Sequence, residues 1–205
     1  MYRKYGKRML DLLLSLAALP FILLLTIVVA PVIYFEDKGS IFYKAKRRGL
    51  YGRIFQMYKF RSMKMNAPDI RNKDNSTYNA PDDPRITKTG RFLRKTSIDE
   101  LPQIYNILLG DMSFIGPRPT TINKPLEEYD EKRRTRLTVR PGLTGYVQAY
   151  YRQSITQERK FELDAEYAQN VSFLLDMKIF FKTVQTVLMR KNIYNAQNDE
   201  KEAHH

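Results

Sequence analysis

The chain has no cysteine, and its only histidines are His204 and His205 at the extreme end, where they resemble a tag remnant. The first absence removes disulfides, thiolate nucleophiles and zinc–thiolate sites together. The second makes histidine acid–base chemistry and histidine metal sites improbable. Any acid, base or nucleophile must therefore come from Asp, Glu, Lys, Arg, Tyr, Ser or Thr, and any metal should be a hard, oxygen-loving ion. Negative charge is also scarce: 22 Asp and Glu stand against 35 Lys and Arg, a net +13. That imbalance points to anionic partners, with nucleic acid, anionic lipid and phosphorylated small molecules all admissible. The 205 residues suffice for one domain with a sizeable core.

Long apolar runs are confined to one place. Arg3, Lys4, Lys7 and Arg8 lead into Met9–Phe35, and Leu12–Phe35 alone is 24 residues, roughly 36 Å as a helix against a hydrocarbon core of about 30 Å. Cations flank both ends, with Lys44, Lys46, Arg47, Arg48 and Arg53 downstream. The positive-inside rule thus draws both ends to the cytoplasm. Pro20 and Pro31 each delete a helical hydrogen bond. A helix kinked or broken near Pro20 that enters and leaves by one face satisfies both facts; a tilted single span is the simpler alternative.

Beyond this run, Ile41–Tyr43 and Ile54–Phe60, joined through Gly49–Gly52, read as a hairpin ending near Lys59 and Arg61. Asn66–Gly90 reads as a long polar loop. A charged helix with a solvated face is expected around Pro125–Arg136. A type II turn is expected at Pro141-Gly142, then a short strand at Tyr146–Ala149. Glu158–Ala168 and Phe173–Arg190 read as helices. In the second, Phe173, Met177, Phe180, Val184 and Val187 form one stripe, fit either for the core or, with Lys178, Lys182, Arg190 and Lys191 beside it, for a membrane interface. The tail from Asn195 is polar.

The stretch the chain is organised around is Ser97-Ile98-Asp99-Glu100-Leu101-Pro102, within Arg91–Pro119. Adjacent carboxylates follow Arg91, Arg94 and Lys95 and precede an apolar run, so a helix N-terminus with an anion site is one reading. A capping box, with Ser97 and Glu100 satisfying backbone N–H groups, is the other.

Several segments in fixed order carry a family likeness. They are Lys7-Arg8-x-x-Asp11, Tyr58–Met63, Asp83–Thr87, Arg91–Gln103, Gly110–Pro119 and Arg140–Gly145. Together they closely resemble the small monotopic phosphoglycosyl transferases, the bacterial sugar transferases, over about Tyr2–Lys191. The resemblance implies an α+β fold: an N-terminal re-entrant membrane helix (1–36), a compact, mainly helical cytoplasmic catalytic domain with short β-hairpin elements (37–191), and a polar tail (192–205). It implies transfer of a phospho-sugar from a UDP-sugar to polyprenol (undecaprenyl) phosphate. UMP would be released, through a covalent aspartyl phospho-sugar, to begin a surface or glycoprotein glycan at the bacterial inner (plasma) membrane. By position, Asp99 and Glu100 are the catalytic pair and the ligands of Mg²⁺. The resemblance also implies that Lys59, Arg94, Pro117, Arg118 and Arg140 bind substrate. The membrane helix of this family usually breaks at a Ser-Pro pair; here Leu19 precedes Pro20. Membrane lipid is an expected partner and nucleic acid is not. The rival reading is a membrane-anchored basic module that binds anionic lipid or nucleic acid without catalysis. Neither the sugar nor the oligomeric state can be read from the sequence.

Overall fold

In a computed structural model of the chain, residues 1–70, 78, 80, 83–151 and 154–189 are described. The expected polar tail 192–205, with His204 and His205, and part of the expected loop Asn66–Gly90 lie outside the described residues. The fold is mixed and mostly helical, with an N-terminal apolar helix and two two-stranded pairings.

Helix α1 (Lys7–Asp37) has 31 residues, about 46 Å of helix, and is long and apolar enough to cross a membrane. Of the kink or break expected near Pro20, the break is absent: the helix continues through Pro20 and Pro31. Both prolines lie on its exposed side. Its buried residues, Asp11, Ser15, Ile22, Val29 and Ile33, follow one helical stripe whose phase survives both prolines. That stripe packs against the rest of the protein along its whole length. Asp11 accepts from Ser113 Oγ and Phe114 N, each at 3.0 Å. Ile22 sits among Ala45, Phe55, Met57, Ile104, Ile107 and Met112, and Val29 and Ile33 pack on Phe60 and Leu93. At the far end, Glu36 caps the next helix by accepting from Lys88 N at 2.7 Å. The opposite face, with Leu13, Leu16, Leu24, Ile27 and Val28, is bare apolar surface.

The expected hairpin forms: β1 (Phe42–Arg48) pairs antiparallel with β2 (Ile54–Phe60), Phe42 opposite Phe60 and Arg48 opposite Ile54. Helix α2 (Lys88–Thr96) is N-capped by Thr87 and α3 (Gln103–Leu109) ends at Gly110, φ 91°. Strand β3 (Ser113–Ile115) pairs parallel with β4 (Gly142–Thr144). Two sequence expectations fail at this point. Gly142 lies in β4 and its φ is not positive, so it cannot fill the third position of a type II turn. Tyr146–Tyr150 is a short helix, α5, and not a strand.

The charged segment yields only α4 (Glu131–Thr135) between two short 3₁₀ turns. It is not wholly solvated, because Arg136 is buried in an ion pair with Asp164 at 2.6 Å. That aspartate belongs to α6 (Gln157–Gln169). Helix α7 (Phe173–Leu188) completes the fold. It docks by a largely polar face. Asp176 accepts from Lys7 Nζ (2.5 Å), Tyr2 Oη (2.6 Å) and Tyr167 Oη (2.7 Å). Ile179 is in the core, and Thr186 Oγ donates to the Ala149 carbonyl.

Candidate active site

The two central carboxylates are set by the junction between α2 and α3. Ser97 ends α2 in the left-handed conformation, φ 58°, and makes no side-chain capping bond. One 3₁₀ turn, Ile98–Glu100, follows, and α3 begins only at Gln103. The capping-box reading is therefore replaced: Glu100 bonds across the fold instead of to its own backbone. Its Oε1 accepts from Lys59 Nζ on β2 at 2.5 Å and from Arg118 Nη2 at 3.4 Å. Asp99 is 8 % exposed and takes no side-chain hydrogen bond among the described residues.

The neighbours act on the pair in opposite senses. Burial raises the Asp99 carboxyl most; Lys59 opposes this, the Glu100 charge adds to it, Arg94 and Arg118 oppose it again, and the net effect leaves it at about 6. Burial also raises Glu100, but Lys59 and Arg118 outweigh it and hold that carboxyl below the ordinary range. Glu100 is thus the fixed anion, and Asp99 is a poorly solvated carboxylate near its ionisation point at neutral pH.

The cations arrive from three elements. Lys59 lies near the end of β2, whose distance from the carboxylates is set by Asn106. That fully buried side chain accepts from Tyr58 N at 2.9 Å and donates to the Gln56 carbonyl at 2.7 Å, tying α3 to the strand. Sequence reasoning missed Asn106; its signal was one polar residue inside Ile104–Leu109. Arg94, in the last turn of α2, donates through Nε to Ser62 Oγ at 2.9 Å.

Arg118 follows β3 on a loop held by backbone. Gly116 N donates to Thr144 O (2.8 Å) and Gly142 N to Pro117 O (3.0 Å). Arg136 Nη2 donates to the Arg118 carbonyl at 2.7 Å. A Cβ on Gly142 or Gly145 would come within 2.1 Å of Gly116 backbone atoms, so those glycines allow the strands to approach. Pro117 serves here through its carbonyl, while the Arg118 side chain is 57 % exposed.

Asp99, Glu100, Lys59, Arg94 and Arg118 line one open cleft of about 1960 Å³, which Phe114, Leu143, Val147 and the α7 residues Phe180, Val184 and Val187 also line. Two expected substrate residues are not on its wall. Pro117 is one; Arg140 is the other, its Nε donating to the Gly110 carbonyl at 2.8 Å. Arg140 thus caps the end of α3 remote from the carboxylates. Arg85, in the Asp83–Thr87 motif, forks onto Asp83 and reaches the Pro68 carbonyl, pinning the loop beside the cleft.

Among the described residues no group of three or more Asp, Glu, His or Cys could cage a metal. Mg²⁺ needs less, because it commonly uses one or two carboxylates with waters and substrate phosphates. Asp99 has no competing hydrogen bond, and the bonds from Lys59 and Arg118 to Glu100 both fall on Oε1, so the donor set fits a magnesium shared with a diphosphate.

Residues 2–190 match the family described as bacterial sugar transferase. An uncharacterized sugar transferase, EpsL, of Bacillus subtilis (strain 168) is 41% identical over 94% of this chain and 92% of its own length. The undecaprenyl-phosphate galactose phosphotransferase of Salmonella typhimurium is 35% identical over 93% of this chain but 42% of its own length. For the undecaprenyl-phosphate glucose phosphotransferase of Komagataeibacter xylinus the values are 34%, 92% and 37%. The chain therefore spans nearly all of the first relative and less than half of the other two.

Proposed function

The chain belongs to the bacterial sugar transferase family, a family of transferase enzymes, and from that premise we propose that it moves a phospho-sugar from a UDP-sugar to polyprenol phosphate. This would be the first membrane step of a bacterial surface glycan. A non-catalytic basic module does not fit the family. The observation that carries the proposed mechanism is the unequal pair: Glu100 is engaged by Lys59 and Arg118, while Asp99 is buried, without a hydrogen bond among the described residues, and facing the same cleft.

In the first step an oxygen of Asp99 attacks the β-phosphorus of the donor. The bond from that phosphorus to the bridging oxygen breaks, and UMP leaves with the electron pair. In the second step an oxygen of the acceptor phosphate attacks the same phosphorus and the Asp99 carboxylate departs, giving polyprenyl diphosphate-sugar. A carboxylate kept from water and donors is more basic than a solvated one, which favours the attack. Lys59, Arg94 and Arg118 hold the phosphates and offset the repulsion between anions. Bound Mg²⁺, held by Asp99 and Glu100, would neutralise charge on the diphosphate.

The same reading assigns residues 1–36 to a membrane-embedded element and 37–191 to a catalytic domain on the cytoplasmic face of the plasma membrane. Its support is the buried stripe of α1. A helix that touches one body from Asp11 to Glu36 while baring its other face to lipid has both ends on that body's side.

Purified enzyme given UDP-sugar without acceptor tests the mechanism. A burst of UMP approaching one per active site, with a sugar-phosphate mass on the peptide containing Asp99, is expected, and Asp99→Asn should abolish both. UMP release only with acceptor, and no adduct, would overturn the covalent route.

A further inference from the structure

The apolar stripe of α7 is not a core face. Phe173, Phe180, Val184 and Val187 are all more than 40 % exposed, although their spacing is that of a packed helix face. The helix is already docked by its other side. Asp176 is buried in a set of short hydrogen bonds, Ile179 is in the core, and Thr183 Oγ lies 2.8 Å from Thr144 Oγ on β4. Those contacts leave no rotation by which the stripe could turn inward, so it must be covered by something else or face solvent.

Its position narrows the occupant. Phe180, Val184 and Val187 line the same cleft as Asp99 and Glu100, and Phe114, Leu143 and Val147 continue that wall. The cleft therefore has cations at one part of its wall, Lys59, Arg94 and Arg118, and bare hydrocarbon at another. A ligand complementary to both is an amphiphile with an anionic head and a long apolar tail. The second exposed edge of α7, Leu174 and Phe181, is absent from the cleft wall, so the two edges face different surroundings.

We propose that the Phe180–Val184–Val187 edge of α7, with Phe114, Leu143 and Val147, is the track along which the hydrocarbon tail of the lipid-phosphate acceptor reaches the carboxylates. This rests on the acceptor being a polyprenol phosphate, and it makes α7 the element that tells a long acceptor from a short one. A tail on this track would be drawn from the bilayer at the α7 side of the cleft.

The test uses the whole enzyme in vesicles and a photoreactive prenyl phosphate with its label near the end of the tail. Labelling of the peptide spanning residues 173–188, competed by undecaprenyl phosphate and weaker for the phosphate-free alcohol, is expected. Labelling confined to α1, or a photo-linked pair of chains through α7, would overturn the track. Kinetics supply the second arm. Phe180→Gln or Val184→Gln, both exposed and so tolerated by the fold, should raise the KM for undecaprenyl phosphate about tenfold. The same changes should leave the KM for a two-isoprene phosphate and the acceptor-free UMP burst unchanged. Phe181→Gln, on the other edge, should leave all three unchanged. Equal effects on both edges, or an effect on the burst, would refute the assignment. If α7 is labelled but no UDP-sugar yields UMP, the proposed reaction fails and the track stands. If UMP is released and α7 stays unlabelled, the reverse holds.

Discussion

Lys59 Nζ sits 2.5 Å from Glu100 Oε1 and makes no hydrogen bond to Asp99, the residue before it. Two chemically similar carboxylates are thereby given different environments by one strand residue. Adjacent positions on a helical turn point apart, so a cation fixed on β2 can saturate one and only influence the other through space. Breaking this pair should be felt in both stability and rate. Glu100→Gln removes the partner of a lysine whose side chain is 15 % exposed and leaves Lys59 and Arg118 without the anion they share. A loss of about 1–2 kcal/mol, discounted for partial solvation, is expected in denaturant unfolding. Turnover should fall at least tenfold. A Glu100→Gln enzyme with parental stability would mean that the pair is solvated in practice.

Asp99 makes the opposite prediction. Its carboxyl binds a proton more tightly in the folded chain than in the unfolded one. That contribution to stability is complete below the ordinary Asp range and is lost as pH rises through about 6. Asp99→Asn should therefore melt higher than the parent at pH 8, and the difference should shrink toward pH 4. In the parent, donor kcat/KM should rise with pH through about 6 as the nucleophile ionises. A catalytically dead variant that is more stable than its parent at neutral pH would be the signature of a buried charge kept for function.

Arg118 and Arg140 both carry the sequence expectation of substrate binding, and the structure separates them. Arg118 is largely exposed and weakly paired at 3.4 Å, so Arg118→Ala should cost less than about 1 kcal/mol of stability while turnover drops steeply. Arg140 is committed to the Gly110 carbonyl. Arg140→Ala should cost about 1 kcal/mol and leave donor KM near the parent value. Urea unfolding beside steady-state kinetics on both variants gives the comparison, and a reversed pattern would return Arg140 to the site.

What could be read beforehand depended on whether a local pattern had a local cause. The hairpin was legible because strand runs flanked Gly49–Gly52, and α1 because nothing but a long apolar helix fits Met9–Phe35. The proximity of Lys59, Arg94 and Arg118 to the carboxylates followed from the family likeness, since β2, α2 and the loop after β3 meet only in three dimensions. The failures have a common physical origin. Ser97 adopts a left-handed conformation that no side-chain rule demanded, and that conformation sends Glu100 to Lys59. Tyr146–Tyr150 has strand-forming residues, yet Gly145 and Thr186 hold it as a helix against α7. In α7 the usual signal is muddled: its inner face mixes buried Asp176 and Ile179 with half-buried Thr183 and Thr186, while Phe173, Phe180, Val184 and Val187 of the apolar stripe are outside. A pattern rule that equates apolar with inside assumes water on the other side.

Topology is open to a direct check, because a chain without cysteine accepts single probes. Cysteines placed at Tyr5 and Ser40 flank α1 on either side. If α1 dips into the membrane and its buried stripe stays on the catalytic body, both probes face the cytoplasm. A membrane-impermeant maleimide should then label neither in intact cells and both after permeabilisation. A single span puts them on opposite faces, so one would react in intact cells. The helix itself does not decide between these outcomes, since it is continuous through Pro20 and Pro31 and long enough for either. The contacts lean to one side. Glu36 caps α2, Arg61 pairs with Asp37 at 2.5 Å, and Asp11 bonds the start of β3. A span perpendicular to the membrane would have to break one set of these contacts or carry Lys44, Lys46 and Arg47 into hydrocarbon. Reversing charge at the downstream end gives the matching perturbation: Lys44→Glu with Lys46→Glu weakens the retention of that end in the cytoplasm. If the contacts of Glu36 and Asp37 hold the helix, Ser40 keeps its protected labelling in this variant. Adding Glu36→Ala and Asp37→Ala should then release it, and the cysteine probe at position 40 would become reactive in intact cells.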